Sequence, residues 1–123
     1  MVLRLARRID APVRALPTFG VSEESGRPSI EWRPQGLAYV IRERGTLDEE
    51  RIARDDDELL YWIFRSVTQD LATTWEVRHR VPGIDSRRTW MPVQLELLRS
   101  LTPSWEDRLR RENALIYAEI GLA

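Results

Sequence analysis

The sequence predicts an α+β domain: an N-terminal helix, a small antiparallel sheet of two or three strands, then three C-terminal helices. Two observations carry that expectation. Apolar residues sit at helical spacing near the N-terminus, alternate between Pro28 and Arg44, and return to helical spacing from about Asp57 onward. Gly and Pro punctuate the chain near each change, at Pro12, Pro17, Pro34-Gln35-Gly36, Gly45 and Pro82-Gly83. A chain of 123 residues fits a single domain over 1–123. A domain of that size buries roughly 65% of the surface its unfolded chain exposes, so it can fold alone.

Val2, Leu5, Ala6 and Ile9 fall on one helical face with Arg4, Arg7 and Arg8 on the others, so the segment Val2 to Leu16 opens with a short amphipathic helix. Pro12 and Pro17 end it or force a second turn. Thr18 to Pro28 contains Gly20, Ser22, Ser25 and Gly26 and reads as loop. Ile30 and Trp32 then alternate with Ser29, Glu31 and Arg33, and Leu37 to Arg44 alternates around Tyr39 and Ile41, which with the Pro34-Gln35-Gly36 turn makes a hairpin. Leu47 to Arg54 can supply a third strand.

One of Asp55, Asp56 and Asp57 caps the strongest helix, in which Leu59, Leu60, Ile63, Phe64, Val67 and Leu71 trace a broad apolar face as far as about Val77. Residues 78–85 connect it to a helix over Arg87 to Leu101. There Val93, Leu97, Leu98 and Leu101 are expected to face inward, and Pro92 is tolerated only in the first turn. Thr102 or Ser104 caps a last helix packed through Trp105, Leu109, Ala114 or Leu115, Ile116 and Ile120, and Gly121 stops it.

Composition narrows the functional classes. A net charge of −1 gives no general reason to expect nucleic acid or an anionic membrane as partner. The absence of cysteine excludes disulfides and cysteine-ligated metals and fits a cytoplasmic protein. No window approaches the roughly 18 consecutive apolar residues of a membrane helix, and no export signal is visible. All nineteen basic residues are arginine. Codon bias in a GC-rich genome accounts for that, and so does selection for guanidinium forks that bind carboxylates and stack on the five tryptophans.

No catalytic residue, cofactor or metal is expected. His79 is the one histidine, and Arg78 and Arg80 beside it disfavour both a bound cation and a protonated ring. Asp55 to Glu58 lacks the spacing of a calcium loop, and capping gives it a sufficient structural reason. No phosphate loop, nucleotide-binding glycine pattern or nucleophile elbow is present. The acids are nonetheless unevenly placed: residues 43–58 hold eight acids against three arginines, a local balance of −5. That run is either a solvated strand edge and helix cap or an electronegative surface that meets a basic protein. Arg87 and Arg88 stand at a helix start, where the partly positive end makes each about 0.3–1 kcal/mol worse than an acid. At least one is therefore expected to pair with a carboxylate, with Glu43, Asp57 and Asp85 the candidates.

The ordered segments Leu16-Pro17-Thr18-Phe19, Tyr39 to Gly45, Asp57 to Ile63, Asp85-Ser86-Arg87-Arg88 and Gln94 to Leu98 resemble the family called Immunity protein 63, found among the antidote proteins of bacterial polymorphic toxin systems. Trp90 stands where the family carries a different aromatic. The resemblance implies a small non-enzymatic cytoplasmic protein that binds and neutralises a toxin encoded beside it, with no nucleic-acid or membrane partner. Occlusion of the toxin's active site or substrate entrance is the leading mechanism. The residues expected to meet the toxin are Glu49, Glu50, Asp55, Asp56, Trp75, Arg78 and Trp90. A small intracellular enzyme using paired carboxylates and a regulatory interaction module unrelated to toxins stay open as alternatives.

Overall fold

The computed structural model describes residues 1–120. It is an α+β fold with four helices and a four-stranded sheet, one strand more than the alternation predicts. The chain resolves into two compact units, Pro12–Phe64, and Met1–Ala11 together with the chain from Arg65 onward.

In the first unit a 3₁₀ turn at Val13–Ala15 precedes β1 (Thr18–Phe19), β2 (Ser29–Arg33), β3 (Gly36–Glu43) and β4 (Thr46–Ile52), hydrogen-bonded in that order. β1 is the additional strand. It lies parallel to β2, with Thr18 opposite Ser29 and Phe19 opposite Ile30, inside the segment expected to be loop. Two residues show no alternation, so only the tertiary pairing makes them a strand. The β2–β3 connection is Pro34-Gln35; proline fixes its own φ near −65°, and the positive φ falls on Gly36 (139°). The β3–β4 connection places Arg44 (φ 50°) and Gly45 (φ 81°) between the paired Glu43 and Thr46, the backbone signature of a type I′ hairpin.

Register sorts the sheet's side chains into two faces. Ile30, Tyr39 and Arg51 form one cross-strand row. That face meets the start of α2 (Asp56–Arg78): Tyr39 and Trp62 pack edge to face at 6.3 Å, and the Arg51 guanidinium lies 4.6 Å from the Trp62 ring and 5.5 Å from that of Tyr39. The opposite face carries an ion-pair network over three strands. Glu31 on β2 accepts from Arg42 on β3, from Arg33 (3.1 Å) and from the Ser29 hydroxyl (2.6 Å), and Arg33 reaches on to Glu50 on β4 (2.7 Å). The Arg42 hydrogen bond, aided by those from Ser29 and Arg33, holds the Glu31 carboxyl at about 2 against an ordinary 4.5, although its burial pushes the other way. Between Ile41 and Arg42 the register slips, so that Ile41 faces Glu49 and Arg42 faces Leu47; Asp48 is the bulged residue of this edge strand.

The second unit is helical: α1 (Val2–Arg8), the remainder of α2, α3 (Arg87–Leu101) and α4 (Pro103–Ile120). Asp10 (φ 54°) stops α1 before Pro12 is reached. Arg8 donates to the carbonyls of Ser100 and Leu101, placing a cation at the C-terminal end of α3 where the free carbonyls and the dipole favour it. α3 matches the predicted bounds, but its buried face is Met91, Gln94, Leu98 and Leu101, while Val93 and Leu97 are half-buried. The polar Gln94 earns its inner position by donating to the Arg65 carbonyl (2.9 Å) and the Thr68 hydroxyl (3.4 Å). Pro92 sits in the second turn of α3 rather than the first and cannot donate to the Arg88 carbonyl.

In α4, Trp105 and Leu109 are buried as expected, but Leu115 and Ile116 are exposed and Asn113 takes the inner position. Among the described residues its Nδ2 has no hydrogen-bond partner although Asn113 is only 4% exposed. The expected stop at Gly121 and the side chain of Ile120 lie outside the described residues.

Two stability predictions follow from these environments. Because the Glu31 carboxyl is depressed in the folded state, its contribution is complete above its unfolded value near 4.5 and is lost as pH falls from there towards 2. Glu31→Gln should therefore cost about 1–2 kcal/mol in urea unfolding at pH 7 and show a flatter pH dependence than wild type between pH ~5 and ~2; equal slopes would refute the assignment. Asn113→Leu removes a buried donor while keeping the branched heavy-atom shape and, where the larger methyl groups are accommodated, should stabilise by about 1 kcal/mol. Lower melting temperatures for both Asn113→Leu and the smaller Asn113→Ala would refute the unsatisfied-donor assignment.

Candidate functional site

The acidic run of residues 43–58 does not form one continuous patch. Much of it is committed within the first unit. Glu49 pairs with Arg51 (2.8 Å), Glu50 with Arg33 (2.7 Å) and Glu58 with Arg54 (2.8 Å). Asp55 accepts the Glu58 backbone N–H (2.8 Å), and Glu58 in turn reaches back to the Arg54 N–H (3.1 Å), a reciprocal cap on the first turn of α2. Asp56 and Asp57 follow, both exposed. Glu43 and Asp48 line a shallow depression with Arg44 and Thr46 at the β3–β4 turn. The run from Asp48 to the end of β4 spans roughly 13 Å, so the two acidic ends are separated by more than the ~8 Å screening length of physiological salt.

The helical unit holds the other expected residues. Trp75 is 41% exposed and stacks on His79, with ring centroids 4.2 Å apart and an angle of 15°. The His79 Nδ1–H donates to the Trp75 carbonyl (2.8 Å), so the lone histidine covers a free carbonyl at the end of α2. Arg78 is exposed beside it. Glu76 on the same helix is buried; the Arg80 fork (3.0 and 3.1 Å) holds its carboxyl below the usual range.

Asp85 receives both the Arg87 guanidinium (2.7 and 3.0 Å) and the Arg87 backbone N–H (2.9 Å). The guanidinium first, then the backbone bond, hold the Asp85 carboxyl at about 2. A carboxylate thus stands at the start of α3 and offsets the cation that follows it. The Arg88 backbone N–H donates to the Asp85 carbonyl (3.0 Å), and its side chain is exposed. Glu43 and Asp57 belong to the other unit. Trp90 is half-buried in a groove where α2, α3 and α4 meet, lined also by Arg65, Arg87, Glu112 and Asn113, with Arg65 and Arg108 both bonded to Glu112 (3.0 and 3.3 Å).

One exposed residue escaped the sequence reading. Trp32 shares the face of Ile30 by alternation, yet it is 79% exposed whereas Ile30 is buried. It pairs with Leu37 in the last row that this face carries before the Pro34-Gln35 turn, one step before the Arg33–Gly36 pair. Its proximity to that turn was the available signal, but how far a covering helix extends cannot be read from spacing. Among the described residues no group of three or more His, Asp or Glu side chains is placed to hold a metal ion, and no helix is long and apolar enough to cross a membrane. The surface offers paired charges and exposed aromatic rings, the materials of protein recognition.

No curated protein and no solved structure matches the chain. The family model described as Immunity protein 63 matches residues 34–114, from the β2–β3 turn into α4, and leaves the Leu16–Phe19 segment outside the matched span. With about two thirds of its length in that match, the chain belongs to the Immunity protein 63 family.

Proposed function

We propose that this chain is a cytoplasmic bacterial immunity protein that binds a cognate toxin domain and neutralises it by covering the active site or substrate entrance. Family membership over residues 34–114 is the observation that supports the reading. In this reading residues 1–123 act as one immunity domain in a polymorphic toxin system, with no catalytic activity, cofactor or metal of their own. Inhibition by occlusion gains from surface charges that are ordered before contact, because ordering them on binding subtracts from affinity. The Glu31–Arg33–Glu50 chain and the Arg87–Asp85 fork are charges of that kind, paired within the free protein. Glu49, Glu50, Asp55 and Asp56 supply a negative field for steering, and Trp75, Arg78 and Trp90 supply ring and guanidinium contacts.

Occlusion is stoichiometric, and this separates it from enzymatic detoxification. Titrating the protein against the toxin domain encoded beside it should abolish toxin activity at one equivalent and give a complex of one copy each by light scattering. An end point far below one equivalent would reveal turnover, and no inhibition at any ratio would reject the immunity reading.

Steering makes a second, kinetic prediction. Charge reversal of Glu49, Glu50 and Asp56 together, in a variant shown by circular dichroism to fold, should slow association much more in low salt than in high salt. Equal rates in low salt would reduce the acidic run to a solvated face and move the search to Trp75, Arg78 and Trp90.

A further inference from the structure

Among the described residues the most exposed large apolar side chain is a tryptophan on the wall of a groove, Trp32. Trp32, Gln35 and Leu37 from the β2–β3 hairpin, with Arg54, Asp55, Asp56 and the buried Leu59 from the β4–α2 junction, enclose a space of about 300 Å³ within the first unit. That is the lower limit of small-molecule pockets, which run to roughly 1,000 Å³, and a size suited to a single side chain. Sheet register explains why it stays open. α2 lays Trp62 against the Tyr39–Arg51 row, whereas the Trp32–Leu37 row lies one pleat further along the strands and keeps an uncovered indole.

Charge selects what fills it. Arg54 is neutralised by Glu58 at 2.8 Å, which leaves the carboxylates of Asp55 and Asp56 in excess at the rim. The start of α2 opposes them with the equivalent of about half a positive charge, so the local field remains negative. An apolar floor, an exposed indole face and two carboxylates together describe a receptor for a cation with a flat apolar body. The fold already contains the same chemistry internally, where the Arg51 guanidinium lies 4.6 Å from the Trp62 ring.

We infer that the Trp32 groove receives an arginine side chain of the toxin, stacked on the indole and held by Asp55 and Asp56. This rests on the immunity reading and assigns that interface its central contact. It places the anchor at one end of the acidic run, on a tryptophan outside the residues named from sequence. Glu49 and Glu50 are then left to act at a distance.

The test has two arms. In the first, N-acetyl-arginine methylamide is titrated into ¹⁵N-labelled protein, and the Trp32 indole N–H, assigned through Trp32→Phe, is followed by NMR. A saturable shift is expected for Trp32 in wild type, a smaller one in Asp56→Asn, and none with N-acetyl-glutamate methylamide. In the second, affinity for the toxin domain is measured: Trp32→Ala should weaken it about thirtyfold or more, with an unchanged melting temperature because the side chain is exposed. A Trp32 indole unmoved by the arginine probe, together with wild-type affinity in Trp32→Ala, overturns the inference while leaving the immunity function standing. If wild type itself fails to bind the toxin, the immunity reading falls and the first arm alone decides the groove.

Discussion

Arg51 is the residue on which the geometry of the sheet unit turns. It projects from an edge strand that is otherwise rich in acids, and its guanidinium lies near the rings of both Tyr39 and Trp62. That placement uses the planar, weakly hydrated character of guanidinium; a lysine would bring a compact, strongly hydrated charge into the same space at a greater desolvation cost. Glu49 completes the arrangement by accepting from Arg51 (2.8 Å). Because the stack fixes which row of the sheet meets α2, it also fixes which row does not. The buried Ile30 and the exposed Trp32, two residues apart on one face of one strand, are both consequences of that choice.

The two faces of the sheet are stabilised by different physics. One side is aromatic and helix-covered, with dispersion and a cation–π contact as the cohesive terms. On the other, Glu31 gathers Arg33, Arg42 and Ser29, and Arg33 hands the chain of charge on to Glu50. Glu31, Arg33 and Arg42 are partly buried rather than exposed, and Glu31 serves several donors at once and ties three consecutive strands together. The bulge at Asp48 adds a charge and a twist to β4, which leaves this edge a poor template for pairing with another strand.

Much of the fold was legible because it rests on local signals. The period change from Ile30 to Ile41, the Gly45 turn, the acidic cap before Leu59 and the bounds of the Arg87–Leu101 helix depend on spacing and turn chemistry that a single chain displays. What escaped depends on partners distant in sequence. β1 exists only because β2 runs beside it. Gln94 is buried because the Arg65 carbonyl and Thr68 wait for it, and a hydrophobicity pattern assigns that place to Val93 or Leu97. Asn113 takes the inner position expected for Ala114 or Leu115, an offset of one or two residues that a broad helical stripe does not reveal and that leaves a buried Nδ2 donor without a partner among the described residues. The acidic run shows the same limit in electrostatic form. Adjacency in sequence suggested one patch, while an extended strand carries its residues apart at roughly 3.3 Å each.

That stretching bears on how such a surface recognises a partner. A carboxylate already paired with an arginine of its own chain, as Glu50 is with Arg33, contributes to the field but must surrender a bond to engage a new cation. Its net return at an interface is small, since one ion pair replaces another and both are desolvated. Beside the uncovered Trp32 ring, Asp56 has no ion pair among the described residues to give up and Asp55 need only keep one oxygen on the Glu58 N–H, while the ring supplies apolar area that needs no pairing at all. On the proposed reading, steering and anchoring therefore fall to different residues: prepaired acids along β4 would shape the approach, and specificity would come from the few positions where charge and bare apolar surface coincide.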